Sequence, residues 1–228
     1  MHFEKMFSIV NNEKLIKFKT IFFCLILKSK FHKKMKSLIV IGHPDENSFC
    51  YNGIFKTILK ELKENSNEIE VIDLYRCSFT RPRNKLIESF KKLIEWSENI
   101  YIISPVWWFR LTPRTEIFFD EVFTPGFAYK FINITKTYAY PKPFLKDKKV
   151  RTYITHGSPS LPVLTLYLNS VKLRLVMGVY TFVFGWKLSL FTKTKQFWSV
   201  PFVSEKTRNR YLKSVEKDIK RDIIKNSK

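Results

Sequence analysis

Acidic residues are scarce in this chain. Of its 228 residues 20 are Asp or Glu against 41 Lys or Arg, a formal charge of +21. Such a balance attracts polyanions: dinucleotide phosphates, nucleic acid or an anionic membrane surface. Nucleic acid is not expected, because no zinc finger, recognition helix or RNA-binding signature accompanies the charge. Cysteine is also sparse. Cys24, Cys50 and Cys77 share neither metal-type nor redox-pair spacing, so no metal site is expected and the chain suits a reducing cytoplasm. The apolar stretch 21–27 falls far short of the roughly 20 residues that span a bilayer. Glu4 and Glu13 precede it and lysines follow it, which does not suit a secretory signal. Glycine numbers six beside 22 Phe and ten Tyr. That bias partly mirrors an AT-rich coding sequence, so aromatic abundance by itself is no sign of function.

The expected organisation has two parts. Residues 1–34 form a Lys-rich extension upstream of a natural start at Met35, never selected for function; a peripheral membrane-binding amphipathic segment is the alternative. Residues 35–228 form one domain, large enough for a real core. No repeat, low-complexity tract or linker divides it.

From Met35 strand and helix patterns alternate. Strands are expected over 38–41, 70–74, 100–104, 150–155 and 179–185, and helices over 48–65, 85–95, 115–123, 163–175 and 204–224. The stretch 126–147 reads as a long Pro-punctuated loop, a length that is usually functional. Strands separated by helical segments give right-handed βαβ units and one parallel sheet, whose ligands sit outside the strand carboxyl ends.

Three loops converge there. Gly42-His43-Pro44-Asp45 follows the first strand, and Asn47, Ser48, Phe49 and Cys50 open a helix whose unpaired N–H groups suit a phosphate; Asn47 or Ser48 as a plain N-cap is the simpler reading. His43 either faces the ligand or caps its own turn. Pro105, Val106, Trp107, Trp108 and Phe109 follow the third strand and make either a wall for a flat aromatic ligand or a hydrophobic cluster under a loop. Thr155, His156, Gly157 and Ser158 follow the fourth; Gly157 permits close backbone approach, and His156 either stabilises negative charge or stays a neutral hydrogen-bonding group.

Gly42-His43-Pro44, Ser48-Phe49, Pro105-Val106-Trp107-Trp108-Phe109 and the run from Val122 through Gly126-Phe127-Ala128-Tyr129 resemble the NAD(P)H dehydrogenase (quinone) family, in the same order from about Met35 to the C-terminal helix. The resemblance implies a flavodoxin-like α/β three-layer sandwich, with a five-stranded parallel sheet of order 2-1-3-4-5 and helices on both faces. It implies FAD or FMN as cofactor, NAD(P)H as donor and a quinone-like acceptor, by ping-pong two-electron hydride transfer. The basic charge sets the chain apart from acidic electron-carrier flavodoxins. By the same resemblance His43, Phe49 and Cys50 contact the cofactor, with Cys50 standing where many relatives have Asn. Tyr129 matches a family residue that acts in catalysis, reaching the acceptor from the other subunit of a homodimer whose interface packs Phe127 and Phe131; His156, unusual at its place in the family, is the second catalytic candidate, on its own chemistry. Two departures stand out. Val163 and Asn169 occupy places where animal members carry a Tyr and a His, and Glu116 replaces a Lys. The alternative function is an ancillary regulatory subunit of a glutathione-gated potassium efflux system, docked on a membrane antiporter with weak or no reductase activity.

Overall fold

The computed structural model describes residues 34–65 and 67–226. The extension expected over 1–34 lies, apart from Lys34, outside the described residues, as does Cys24.

The chain runs β1 (Lys36–Ile41), a π-helical stretch (Phe49–Phe55) leading into α1 (Lys56–Glu64), β2 (Glu68–Asp73), α2 (Asn84–Trp96), β3 (Asn99–Trp107), β4 (Arg110–Leu111) and α3 (Pro113–Val122). It continues through β5 (Tyr129–Asn133), β6 (Ala139–Pro143), β7 (Lys149–Thr155), α4 (Ser160–Leu164) and α5 (Ser170–Leu173). A second π-helical stretch (Arg174–Tyr180) precedes α6 (Thr181–Phe184), α7 (Leu188–Lys193), β8 (Thr194–Phe197) and α8 (Glu205–Asn226).

The main strands pair in the order β2-β1-β3-β7-β8, all parallel, which is the expected 2-1-3-4-5. Leu38, Ile39, Val40 and Ile41 have no exposed surface, as befits a strand covered on both faces. On one face Leu38, Val40, Ile100, Ile102 and Ile154 pack with α2, α3 and the helical segments 170–184. On the other, Ile39, Ile41, Tyr101 and Tyr153 pack with α1 and α8. Along α8, Val215, Ile219 and Ile223 recur every fourth residue and put one stripe against the sheet.

Three expectations need correction. The fifth strand is Thr194–Phe197, and the stretch 179–185 is helical. Its Val, Tyr and Phe favour strands, but burial at Leu175, Val176, Tyr180, Val183 and Phe184 follows a helical face rather than alternation, and packing decides. The helix expected over 163–175 is broken, because Leu168 and Asn169 adopt left-handed φ of 48° and 52°. The loop expected over 126–147 contains an antiparallel hairpin of β5 and β6, with Phe131 opposite Pro141.

A charged cluster lies under α8. Arg151, on the interior strand β7, makes a forked pair with Asp222, Nε to Oδ2 at 2.6 Å and Nη2 to Oδ1 at 2.9 Å. Asp218 stands one turn earlier, 3.5 Å from Nη1, and Lys193 reaches Asp222 at 3.1 Å. Burial pushes the Asp222 carboxyl up, but the hydrogen bonds and charge of Arg151, joined by Lys193, outweigh it and hold its pKa below the usual value. The stabilisation is therefore complete above the ordinary aspartate pKa of about 4 and is lost as pH falls through the lower folded value. Asp222→Asn should cost about 3 kcal/mol at pH 7. Urea melts should also show a flatter dependence of stability on pH below about 4 than the wild type; equal acid limbs would mean the pair carries no such linkage.

Candidate active site

The loops after β1, β3 and β7 stand side by side, and the start of α8 closes the space they leave. The cleft between them measures about 430 Å³, within the roughly 300–1,000 Å³ usual for small-molecule sites.

The first loop is pinned at Gly42. Its N–H donates to the Ile103 carbonyl (2.9 Å) and its carbonyl accepts from the Thr112 hydroxyl (2.8 Å). A Cβ at residue 42 would sit 2.0 Å from Thr115 Oγ1, so a side chain has no room. His43 faces the cleft and also caps its own turn, its Nδ1 accepting from the Asp45 N–H at 3.0 Å. Burial lowers its pKa, opposed by the Asp45 charge. Asn47 donates its N–H to Asp45 Oδ1 (2.8 Å), and Ser48 is the N-cap, its Oγ accepting from the Tyr51 N–H (3.2 Å). The N–H groups of Phe49 and Cys50 open the helix where no carbonyl of the helix can reach them. Cys50 Sγ lies 3.2 Å from Thr155 Oγ1, tying the first loop to the end of β7. Burial pushes the thiol up to about 12, so Cys50 is a packing residue and not a nucleophile.

The second loop differs from expectation. Pro105, Val106 and Trp107 continue β3 and line the cleft, because β4 turns back to pair Val106 with Leu111 and Trp107 with Arg110. Trp108 and Phe109 form the two-residue turn between them and stand outside the cleft. Trp108 is 95% exposed, so it is not core. Phe109 lies against Tyr167, ring centroids 4.4 Å apart. Glu116 is committed to structure: it accepts from the Leu111 N–H at 2.9 Å and pairs with Arg174.

In the third loop Thr155, His156 and Gly157 line the cleft. His156 is buried, stacked on Trp198 with centroids 4.3 Å apart. Burial lowers its pKa to about 4, which makes it neutral at pH 7. A Cβ on Gly157 would meet no atom within 4 Å, so that face opens on free space. Ser158 does not line the cleft; its carbonyl accepts from the Ser199 N–H (3.0 Å). Tyr129 lines a separate cleft of about 230 Å³ with Phe119, Phe123 and Phe182, and does not join His156 in its own chain.

Arg208 was not singled out by the sequence. It stands in the first turn of α8, lines the cleft and donates to the Val200 carbonyl at 3.1 Å and the Pro201 carbonyl at 3.2 Å. Among 41 basic residues no spacing marks it; only the return of α8 over the sheet edge does. Gln196, an edge-strand residue bonded to both His156 and Asn169, carries no sequence signal either.

A family model described as flavodoxin-like fold matches residues 35–164, more than half of the chain. The chain belongs to the flavodoxin-like fold family. No curated protein sequence matches it. Among solved structures, Smu.1420 from Streptococcus mutans UA159 superposes with a TM-score of 0.64 at 22% identity, over 81% of this chain and 98% of that one. The NAD(P)H:quinone oxidoreductase from Methanothermobacter marburgensis gives 0.62 at 18%, over 82% and 98%. The FMN-dependent NADH-azoreductase from Bacillus anthracis, in complex with FMN, gives 0.61 at 17%, also over 82% and 98%. At these identities the likeness is one of fold. In a flavodoxin-like fold the strand order reverses between β1 and β3, and ligands sit at that switch point, which is where this cleft lies.

The 108–109 turn is strained. Both residues have left-handed φ, 50° and 59°, in a hairpin position that Asn-Gly fills best. Left-handed non-glycine residues cost on the order of 1 kcal/mol or more each. Replacing Trp108-Phe109 by Asn-Gly should raise Tm by about 3 °C. Calorimetry checks this; a fall in Tm would mean that the Phe109 contact on Tyr167 outweighs the strain.

Proposed function

We propose that this protein is a flavin-dependent NAD(P)H oxidoreductase acting on quinone-like aromatic acceptors. The observation that carries the reading is the cleft at the β1–β3 switch point, with its first-turn amides, aromatic wall and open Gly157 face. The residues present fit a flavin. Phe49 and Cys50 N–H groups and the Arg208 guanidinium suit its phosphate, while Val106, Trp107 and Gly157 leave room for a flat ring. The FMN-bound azoreductase of the same fold supports FMN as the form to test first. When bound, a flavin supplies hydride acceptance from NAD(P)H and two-electron delivery to the acceptor.

The chain's own work is positioning. Trp107 excludes water from one side and holds flat partners at near-attack distance. The buried Cys50–Thr155 contact keeps two cleft walls in register. His156, buried and neutral, offers a dipole and not a cation. No nucleophile is required.

Full-length protein should turn yellow with FMN or FAD, bleach with NADPH or NADH under nitrogen, and recover colour with menadione. Gly157→Val should weaken flavin binding at least tenfold with Tm unchanged, since the new side chain enters open space. Folded wild type that stays colourless with both flavins would end this reading.

A homodimer belongs to the same proposal. Leu161, Leu166 and Leu168 are 72%, 78% and 71% exposed, an apolar display that marks an interaction surface. The occupant is a second copy, which would bring the partner's hairpin, with Tyr129, toward the acceptor side. Light scattering should give twice the chain mass of 27.3 kDa, and Leu166→Glu with Leu168→Glu should halve it; a monomeric wild type would sink this part.

A further inference from the structure

His156 sits in a frame that fixes which of its nitrogens carries a proton. Its ring lies on Trp198, tilted by 26°, so it cannot turn freely. Its Nε2 is 3.0 Å from Gln196 Nε2, and the same amide nitrogen is 3.0 Å from Asn169 Oδ1. An amide nitrogen has two hydrogens and no acceptor capacity. With the Gln196 amide nitrogen turned to both partners, one hydrogen goes to Asn169 Oδ1, which accepts, and the other to His156 Nε2, which is then the bare nitrogen. Asn169 is held for this in a left-handed conformation at the break between α4 and α5. The proton of the imidazole is left on Nδ1, in a ring that lines the cleft.

We propose that Gln196 is a positioning residue that holds His156 in the Nδ1–H form, making it a hydrogen-bond donor to an electron-rich heteroatom of the bound flavin. The inference rests on the flavin reading above and adds a residue, on the edge strand β8, that the cleft lining does not include. Its chemical content is a choice of dipole over charge. A carboxylate at 196 would accept from Nε2 and favour the imidazolium; an amide that donates to Nε2 disfavours both the other tautomer and the cation. The other titratable and charged groups lining the cleft are His43 and Asp45 from the first loop, Cys50 from the helix start and Arg208 from α8. None of them shifts the ring, whose charge state is set by burial.

The test is 15N NMR on the full chain labelled at histidine. The chain has four histidines, and the His156 signals are assigned by their loss in His156→Asn. Wild type should show a protonated Nδ1 and a bare Nε2 from pH 5 to 8. Gln196→Glu, isosteric with the native residue, should move the proton to Nε2 or charge the ring. The ratio of variant to wild-type FMN affinity, in which the titration of the phosphate cancels, should then vary at least fivefold between pH 5 and 8. Gln196→Met, which removes the donor without changing length, should give mixed tautomers. A wild-type ring protonated on Nε2, or an unchanged Nδ1–H pattern in both variants, would overturn the role of Gln196 whatever is bound. Failure of the wild type to bind FMN or FAD would instead overturn the ligand, whatever the tautomer.

Discussion

The loop after β1 is clamped to α3 by a group of buried hydroxyls packed so closely that residue 42 has space for hydrogen only. Thr112 Oγ1 lies 2.8 Å from Thr115 Oγ1 and bonds the Gly42 carbonyl, and Ser104 accepts from the Thr112 N–H at 3.3 Å. Each such bond contributes only about 1 kcal/mol net, but leaving a buried partner unpaired costs more, so the arrangement resists partial loosening. It places His43 and the Ser48 cap, and through Cys50 and Thr155 it reaches the end of β7. The cleft is thus shaped by contacts within the protein before any ligand arrives, the condition under which binding energy is not spent on ordering loops.

Backbone strain gathers at the same edge of the sheet. Trp108, Phe109, Leu168, Asn169 and Ser199 are the non-glycine residues with positive φ among the described residues. They follow β3, β7 and β8, never the opposite ends of the strands. Glycine would relieve every one of these positions, yet the side chains there contribute. Phe109 packs on Tyr167, and Asn169 accepts from Gln196. Strain that persists where the surroundings over-determine it is a mark of sites and switches. The low glycine content of this chain therefore has a local consequence: turns that usually carry glycine present large or polar groups around the cleft mouth.

How far the sequence could be read depended on how each element is buried. The runs at 38–41 and 100–103 are apolar without interruption because both faces of those strands are covered, and continuity is the signal; in 150–155 the Val150, Tyr153 and Ile154 positions carry it around Arg151. Thr194–Phe197 escaped because it is an edge strand whose central residues, Lys195 and Gln196, are only half buried. The stretch 179–185 misled because residue preference for strands is weaker than packing. In the site, loop position alone singles out residues next to strand ends, and of these His43, Cys50, Val106 and Gly157 reached the cleft. Trp108 and Phe109 did not, since a hairpin register that no spacing encodes carries them past it. Arg208 and Gln196 depend on tertiary return of α8 and β8, for which a single sequence has no local mark.

Charge is sorted between the layer beneath α8 and the carboxyl edge of the sheet in a way the total of +21 conceals. Beneath α8, Arg151, Lys193 and Lys195 share two carboxylates, Asp218 and Asp222, so each cation there has an acidic partner. At the cleft both histidines have lowered pKa values by burial, and among the described residues Arg208 is the one fixed cation in the lining. That leaves one positive charge, Arg208, with the Asp45 carboxyl in the first loop and oriented N–H dipoles at the helix start. An anionic phosphate and a neutral ring make opposite demands. The first wants a point charge and open amides; the second wants donors whose strength does not change with pH. Excess lysine on the solvated helices supplies long-range attraction for anions without placing a further cation against the ring.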